Sequence, residues 1–378
     1  MASKSEHIQL FEKYPKTTIC SLLIIAISFC DILAGVIFIP KDMNNFRAGH
    51  HYYHHGMLPN KTGYSQWGDG AIYPVFTNSL GLIDSEVRNI ELNISNKRIV
   101  FIGDSYTEGL GLPFDKTFVG IIKARFDNSN IDILNAAALS YSPKMYYLKI
   151  KYLIENVGLQ FNELYVFLDI SDIQDEILYR KYNPDEQTST DLLIENVKRK
   201  LKNVSFLMYS INFLYQHEKV ERQRKKYNAK YYPPWLDYFW LEDRDTTPYS
   251  DPSFRFIRSD WYTDMYFNNP WTQLGLKYAF EHMNNLLELC RSNNIKLSIA
   301  VYPWPAQIKR KELYSRQVSI WESYSAYNKI EFINMFPDFI NNDLTPEEVN
   351  SKYFITGDVH WNLEGHKIVA NKVARYLR

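Results

Sequence analysis

The hydrophobic pattern of the chain changes character three times. Thr17 to Ile39 reads TTICSLLIIAISFCDILAGVIFI, apolar on every side and carrying one charge, Asp31. That length suits a helix crossing a bilayer of roughly 30 Å. Residues 40–97 lose all periodicity, are rich in His, Tyr, Asn and Gly, and predict an irregular extension packed on the body. Short apolar runs then alternate with helically spaced ones. RIVFI (98–102), IDILN (131–135), ELYVFLDI (163–170), KLSIAVY (296–302) and IEFIN (330–334) predict five buried strands. Between them TFVGIIKARF (117–126) sets Phe118, Ile121, Ile122 and Phe126 on one helical face. KMYYLKIKYLIENV (144–157), YAFEHMNNLLELC (278–290), RKELYSRQVSIWESY (310–324) and NLEGHKIVANKVARYL (362–377) predict further helices. Strands separated by helices imply βαβ units, hence an α/β fold with a doubly wound, flavodoxin-like parallel sheet in the order 2-1-3-4-5.

One block interrupts the alternation. Residues 175–275 are too many for a connection. TDLLIENVKRKLKNVSFLMYSINFLYQ (190–216) predicts helix, HEKVERQRKKYNAK (217–230) a solvated helix end, and the aromatic stretch from Tyr231 to Phe254 a long loop. The block reads as an insertion, with a cap over the site as its candidate role. The expected organisation is a cytoplasmic tail (1–16), a transmembrane anchor (17–39), the extension (40–97) and a catalytic domain (98–378) holding the insertion.

Charge refines the anchor. Lys4, Lys13 and Lys16 precede the span and Lys41 and Arg47 follow it, a bias that puts the N-terminus in the cytoplasm and the body outside. A cleaved signal would have a shorter apolar core and a small-residue cleavage site. Asp31 must lie near the interface, be protonated, or meet a donor on another helix. The last option would make it a docking point for a membrane partner.

Composition adds limits. Lys and Arg together number 43, as do Asp and Glu, so no global charge points to nucleic acid. The 29 Tyr and 22 Phe would suit a carbohydrate-handling surface or fill a large core. Cys20, Cys30 and Cys290 make no disulfide framework.

In an open parallel sheet, ligands bind beyond the carboxyl ends of the strands. Ser105, in FIGDSYTEGLGL, follows the first strand; Ser140, in NAAALSYSP, the second; Ser171, in DISD, the third; Trp304, in PWP, the fourth; and GDVHWNLEGH (357–366) lies beyond the fifth. A serine becomes a nucleophile when a base takes its proton and an acid fixes the base's tautomer. His360 and Asp358 supply that pair, with Ser105 where a strand turns into a helix. The competing readings are a turn serine, or a phosphate-binding turn of a flavin module; against the latter, Asp104 and Glu108 would repel a phosphate. HHYYHHG (50–56) allows a metal reading, but no carboxylate or cysteine lies close by; the alternative packs His54 and His55 beside the catalytic edge.

GDSYTEG followed near the end by DVHW resembles the GDSL/SGNH hydrolase superfamily, over residues 98–378 without the insertion. The resemblance implies Ser105 as nucleophile, His360 as base and Asp358 as its orienting acid, with no cofactor and no metal. It places the oxyanion donors on Ser105, Ser140 and Ser171, where the latter two replace the family's glycine and asparagine. Asp104, Tyr106, Asn135, Trp304, Trp361, His54 and His55 are the candidate substrate-binding residues, Trp304 either stacking on a sugar or burying itself. Asp358 and His360 stand two apart, not the usual three, and Trp361 follows. That D-x-H-W form resembles the membrane-anchored branch associated with exopolysaccharide O-acetylation, as in alginate acetylation proteins. It implies a polysaccharide substrate and a multi-pass membrane-bound O-acyltransferase as donor partner. A catalytically silent glycan-binding subunit is the alternative.

Overall fold

A computed structural model describes residues 13–39, 43–186 apart from 69, 95 and 128, then 194, 197–198, 201, 204–211, 214–215 and 218, and finally 253–377 apart from 341 and 342. The chain divides into two compact units, one of residues 1–41 with 188–241, the other of 42–187 with 242–378.

The larger unit holds the sheet. In chain order its main elements are β1 (Arg47–His50), β2 (His54–Met57), β3 (Thr62–Ser65), β4 (Tyr73–Thr77), β5 (Ile83–Asp84), β6 (Lys97–Ile102), α1 (Ser105–Glu108), α2 (Phe118–Arg125), β7 (Ile131–Asn135), α3 (Pro143–Lys151), β8 (Glu163–Leu168), α4 (Asp172–Tyr179), α5 (Ser253–Asp260), α6 (Pro270–Ser292), β9 (Lys296–Val301), α7 (Pro305–Lys309), α8 (Arg316–Asn328), β10 (Glu331–Asn334), α9 (Pro346–Tyr353) and α10 (Leu363–Val373). The strand order β10-β9-β8-β6-β7-β5-β4-β3 contains the expected parallel 2-1-3-4-5 core. Ile99–Ile102 and Leu164–Leu168 are fully buried. Strands covered on both faces read as continuous apolar runs, which is why the alternation stood out. Helix α6 packs along α3 and α4, while α10 packs on α2.

The structure corrects the extension. Residues 40–97 are not irregular: β1 and β2 form a hairpin, and β3, β4 and β5 add three antiparallel strands beside β7. They are two to five residues long, too short to register as periodicity. Thr62–Ser65 and Tyr73–Thr77 show the alternation of a half-buried strand. The helix expected over 310–324 starts at Arg316. Lys311 sits in the left-handed region (φ 55°), and the buried Gln307 side chain ties Ser315 to Gln317 across that bend. A short helix, α7, follows the fourth parallel strand, with Pro305 at its first position.

The insertion is narrower than 175–275. Asp172–Tyr179 and Ser253–Asp260 are helices of the sheet unit, and 188–241 groups with the N-terminal segment. Most of 217–252, including the expected charged helix end and aromatic loop, lies outside the described residues.

In the smaller unit, Pro15–Phe38 is one helix with a mean hydropathy of 2.5, long and apolar enough to cross a membrane. Residues 206–211, 214, 215 and 218 are also helical. The Asp31 carboxylate accepts the Leu207 N–H at 2.7 Å. The donor foreseen for Asp31 on another helix therefore comes from this chain.

Candidate active site

β6 ends at Ile102, and Asp104 caps the next helix by accepting the Tyr106 N–H at 3.0 Å. Gly109 closes that helix with φ 88°, a left-handed conformation that favours glycine. Ser105 is thus the first helical residue. Its Oγ lies 2.8 Å from His360 Nε2, and His360 Nδ1 lies 2.5 Å from Asp358 Oδ1. A carboxylate only accepts, so Nδ1 carries the proton and Nε2 presents a lone pair to the Ser105 hydroxyl.

The two-residue spacing has a local cause. Asp358 Oδ1 also accepts the His360 backbone N–H at 2.8 Å, so one oxygen holds both the loop and the ring. The other, Oδ2, accepts the Trp67 indole N–H at 3.0 Å. Trp67 lies edge-on to the imidazole, and Tyr106 bonds the Val359 carbonyl from its other side. Burial alone would raise the Asp358 carboxyl, but the His360 hydrogen bond and charge, helped by Trp67, bring it down to about 2. Asp358 is therefore an anion at any working pH. Trp67 was not foreseen; GYSQWGDG carries no signal linking it to a loop near residue 358.

Asp104 is the opposite case. It is 3% exposed, and burial followed by the nearby Asp169 pushes its carboxyl well above the usual carboxylate range. Its Oδ1 accepts from Tyr106 and Tyr302, and its Oδ2 lies 3.2 Å from Ser105 Oγ. The single hydroxyl proton of Ser105 faces His360. A neutral Asp104 can donate to Ser105 Oγ and leave that proton where the base takes it. Asp169 accepts from Ser171 N–H (3.1 Å), Ser171 Oγ (2.5 Å) and Trp304 Nε1 (2.6 Å). Asp172 is also pushed well up by burial and by Asp169, and accepts from Tyr146 at 3.0 Å. Arg258 bonds Asp175 at 3.0 Å at the edge of this acidic shelf.

The oxyanion candidates separate. The Ser171 hydroxyl is committed to Asp169, so it is not directed at a substrate oxygen. Ser140 adopts a left-handed backbone (φ 59°), the conformation that explains a glycine in relatives of the motif. Its buried Oγ has no hydrogen-bond partner, while its carbonyl accepts the Tyr179 hydroxyl at 2.9 Å. Among the described residues, the N–H groups of Ser105 and Ser140 find no acceptor, unlike those of their neighbours Tyr106 and Leu139. Two unspent backbone donors next to the nucleophile are what an oxyanion requires.

The remaining sequence candidates act from beneath. Asn135 is fully buried and bonds the backbone at Thr107 (2.7 Å) and Ala137 (3.1 Å). Trp361 is fully buried between Tyr106, Tyr302 and Phe339. Neither can stack on a ligand. Trp304 is 9% exposed and holds Asp169. His55 Nε2 donates to the Leu139 carbonyl at 2.7 Å, so its Nδ1 accepts from His54 Nδ1 at 2.8 Å. Burial lowers His54 to about 4 and His55 well below its ordinary value, so both rings are neutral. The histidine hairpin thus fixes the backbone beside Ser140. Glu108 does the same from below: its carboxylate pairs with Arg47 and accepts the Leu139 N–H at 2.7 Å.

No family model and no curated protein matches the chain. Solved structures do resemble it. A GDSL-like lipase from Bacteroides thetaiotaomicron VPI-5482 is 13% identical over 76% of this chain and 91% of its own, with a TM-score of 0.37. A psychrotrophic esterase, EstA, from Pseudoalteromonas sp. is 10% identical over 75% and 99%, with a TM-score of 0.37. An acetyl xylan esterase is 11% identical over 74% and 100%, with a TM-score of 0.40. These likenesses concern the fold alone.

Proposed function

We propose that this chain is an SGNH-type serine acyl-transfer enzyme, anchored in a membrane by Pro15–Phe38, that moves an acetyl group at an ester of a cell-surface or secreted polysaccharide. The observation that carries the reading is the hydrogen-bonded line from Ser105 through His360 to Asp358. In the first half-reaction His360 Nε2 takes the Ser105 proton as Oγ attacks the acyl carbonyl. Asp358 stabilises the imidazolium that forms. The Ser105 and Ser140 N–H groups hold the oxyanion, and His360 returns its proton to the departing alcohol, leaving acyl-Ser105. In the second half-reaction the acceptor hydroxyl gives its proton to His360 and takes the acyl group, the acyl–Oγ bond breaks, and His360 returns the proton to Ser105 Oγ. Water as acceptor makes an acetylesterase; a sugar hydroxyl makes an O-acetyltransferase, with a multi-pass O-acyltransferase supplying the acyl group.

The test is p-nitrophenyl acetate turnover by the purified protein, with and without glycan, together with fluorophosphonate labelling of Ser105. Ser105→Ala and His360→Ala should each cost about 10⁴-fold or more in kcat, and the double variant little further, because the residues act as a unit. Wild-type turnover by Ser105→Ala would end the enzyme reading and leave the silent glycan-binding subunit. Glycan that takes up the acetyl group of p-nitrophenyl acetate in a Ser105-dependent way would identify a transferase.

A further inference from the structure

Asp31 sits two turns before Phe38, so about 10 Å inside the end of the apolar helix at 1.5 Å per residue. A carboxylate there needs a reason. The structure supplies one. A helix begins at residue 206, and Ser205 caps it by accepting the Met208 N–H at 3.0 Å. The Leu207 N–H, another of the donors that a helix start leaves orphaned, goes to Asp31. Asp31 is thus half of a helix cap supplied from the neighbouring helix.

Two further contacts fix the same junction. A Cβ on Gly35 would lie 2.0 Å from the Val204 carbonyl oxygen, so the backbones touch where only glycine fits. The Phe38 and Phe206 rings meet at 5.5 Å. Away from the junction the second segment presents apolar side chains outward. Ile194, Val197, Leu201 and Val204 recur at three- and four-residue steps, and Leu207, Ile211 and Leu214 continue them beyond Ser205, at 58%, 53% and 64% exposure. The sequence of this segment includes KRKLK (198–202), with four cations, the charge that anionic lipid headgroups attract.

We propose that the described residues between 194 and 215 form a second membrane-embedded element, an amphipathic arm whose apolar face is covered by lipid and whose helix start Asp31 holds against the span. The inference rests on reading Pro15–Phe38 as a transmembrane helix, because whatever is bonded at the level of Asp31 then lies in the same apolar layer. It also accounts for the cap: hydrocarbon offers no water to satisfy an open helix end, so the span must bring its own acceptor. The sheet unit and this membrane unit are joined by three peptide connections, at 41–42, 187–188 and 241–242, so the body would be tethered by the insertion as well as by its N-terminus.

The test uses the full chain in vesicles of phosphatidylcholine containing phosphatidylglycerol. Cys20 and Cys30 are replaced by Ser; Cys290 can stay, since burial pushes its thiol up to about 12. Single cysteines at Ile25, Ile211, Leu214 and Lys296 carry a fluorophore, and quenching by lipid-borne nitroxide is compared with quenching by aqueous iodide. Ile211→Cys and Leu214→Cys should be quenched from lipid as strongly as Ile25→Cys and at least about threefold more than Lys296→Cys. Lipid quenching at Ile25 but iodide quenching at Ile211 and Leu214 overturns the arm and leaves the span. Protection of both arm positions from either quencher would mean that protein covers them, and overturns it too. Iodide quenching at Ile25 overturns the span reading and the arm with it. Adding Asp31→Leu should shift Leu214 towards iodide while Ile25 stays in lipid; an unmoved Leu214 refutes the role of Asp31.

Discussion

Two loops on one edge of the sheet each carry a buried aspartate beside a residue of the proposed triad, and they shift its carboxyl in opposite directions. After β6, Asp104 precedes Ser105; in the loop before α10, Asp358 precedes His360 by two positions. Asp358 receives two N–H groups and the ring proton of His360, and falls to about 2. Asp104 receives a backbone N–H and a tyrosine hydroxyl, but faces Asp169 in a drier place and rises. Donor count alone does not separate them. Burial is the largest influence on both and is deeper at Asp104, and the nearest partner then differs in kind, a histidine for Asp358 against a second carboxylate for Asp104. In the proposed reaction the first acid is an anion that stabilises the imidazolium, and the second, its carboxyl raised, can donate to Ser105 and leave the serine proton to the base.

Removing the anion should have the largest effect. Asp358→Asn should lower kcat/KM about 10³-fold with the fold intact, because an amide no longer dictates which His360 nitrogen carries the proton; unchanged turnover would mean that the backbone bond, not the charge, matters. Removing the neutral acid should cost less and depend on the replacement. Asp104→Leu should lose about 10²-fold, whereas Asp104→Asn, neutral and still a donor, should stay within about threefold at neutral pH. The Asn variant should also lack any decline in rate that ionisation of Asp104 causes in the wild type as pH rises. If Asp104→Asn is as poor as Asp104→Leu, a negative charge is needed and the contrast fails.

The same contrast reaches stability. The Asp358 carboxyl falls from 3.8 to about 2 on folding, so it adds about 2 kcal/mol above pH 4 that disappears as pH drops from 4 to 2. Denaturant midpoints of wild type and Asp358→Asn should differ at pH 7 and converge by pH 2. The smallest effect belongs to Ser140. Ser140→Gly removes a left-handed side chain and an unpartnered buried hydroxyl, and should raise stability by about 1 kcal/mol with activity kept, since the backbone N–H remains. A loss of activity would show that the hydroxyl itself donates.

These contrasts explain what could be read from residues alone. The parallel core was legible because RIVFI and ELYVFL are buried on both faces and leave no polar interruption. Ser105, His360 and Asp358 were legible because the topology collects strand ends at one edge. The antiparallel strands were not, since strands of two to five residues owe their existence to the edge of β7. Trp67 was invisible for a related reason: its partner lies 291 positions away. Ser171 misled because a hydroxyl at the right strand end says nothing about a carboxylate two residues earlier claiming its proton.

The Arg47–Glu108 pair has a practical side. Glu108 belongs to the nucleophile's own helix and is 3% exposed, while its counter-ion arrives from β1, before the sheet's first parallel strand. A soluble version trimmed to start at Arg98 would keep every catalytic side chain and strand the Glu108 charge in the interior. It would also lose Trp67. Trimming that removes only the apolar helix has to stop short of Asn44, whose backbone N–H bonds Tyr64 and whose side chain bonds Ser65. The boundary of the smallest working enzyme therefore lies about fifty residues upstream of where its sequence motif begins.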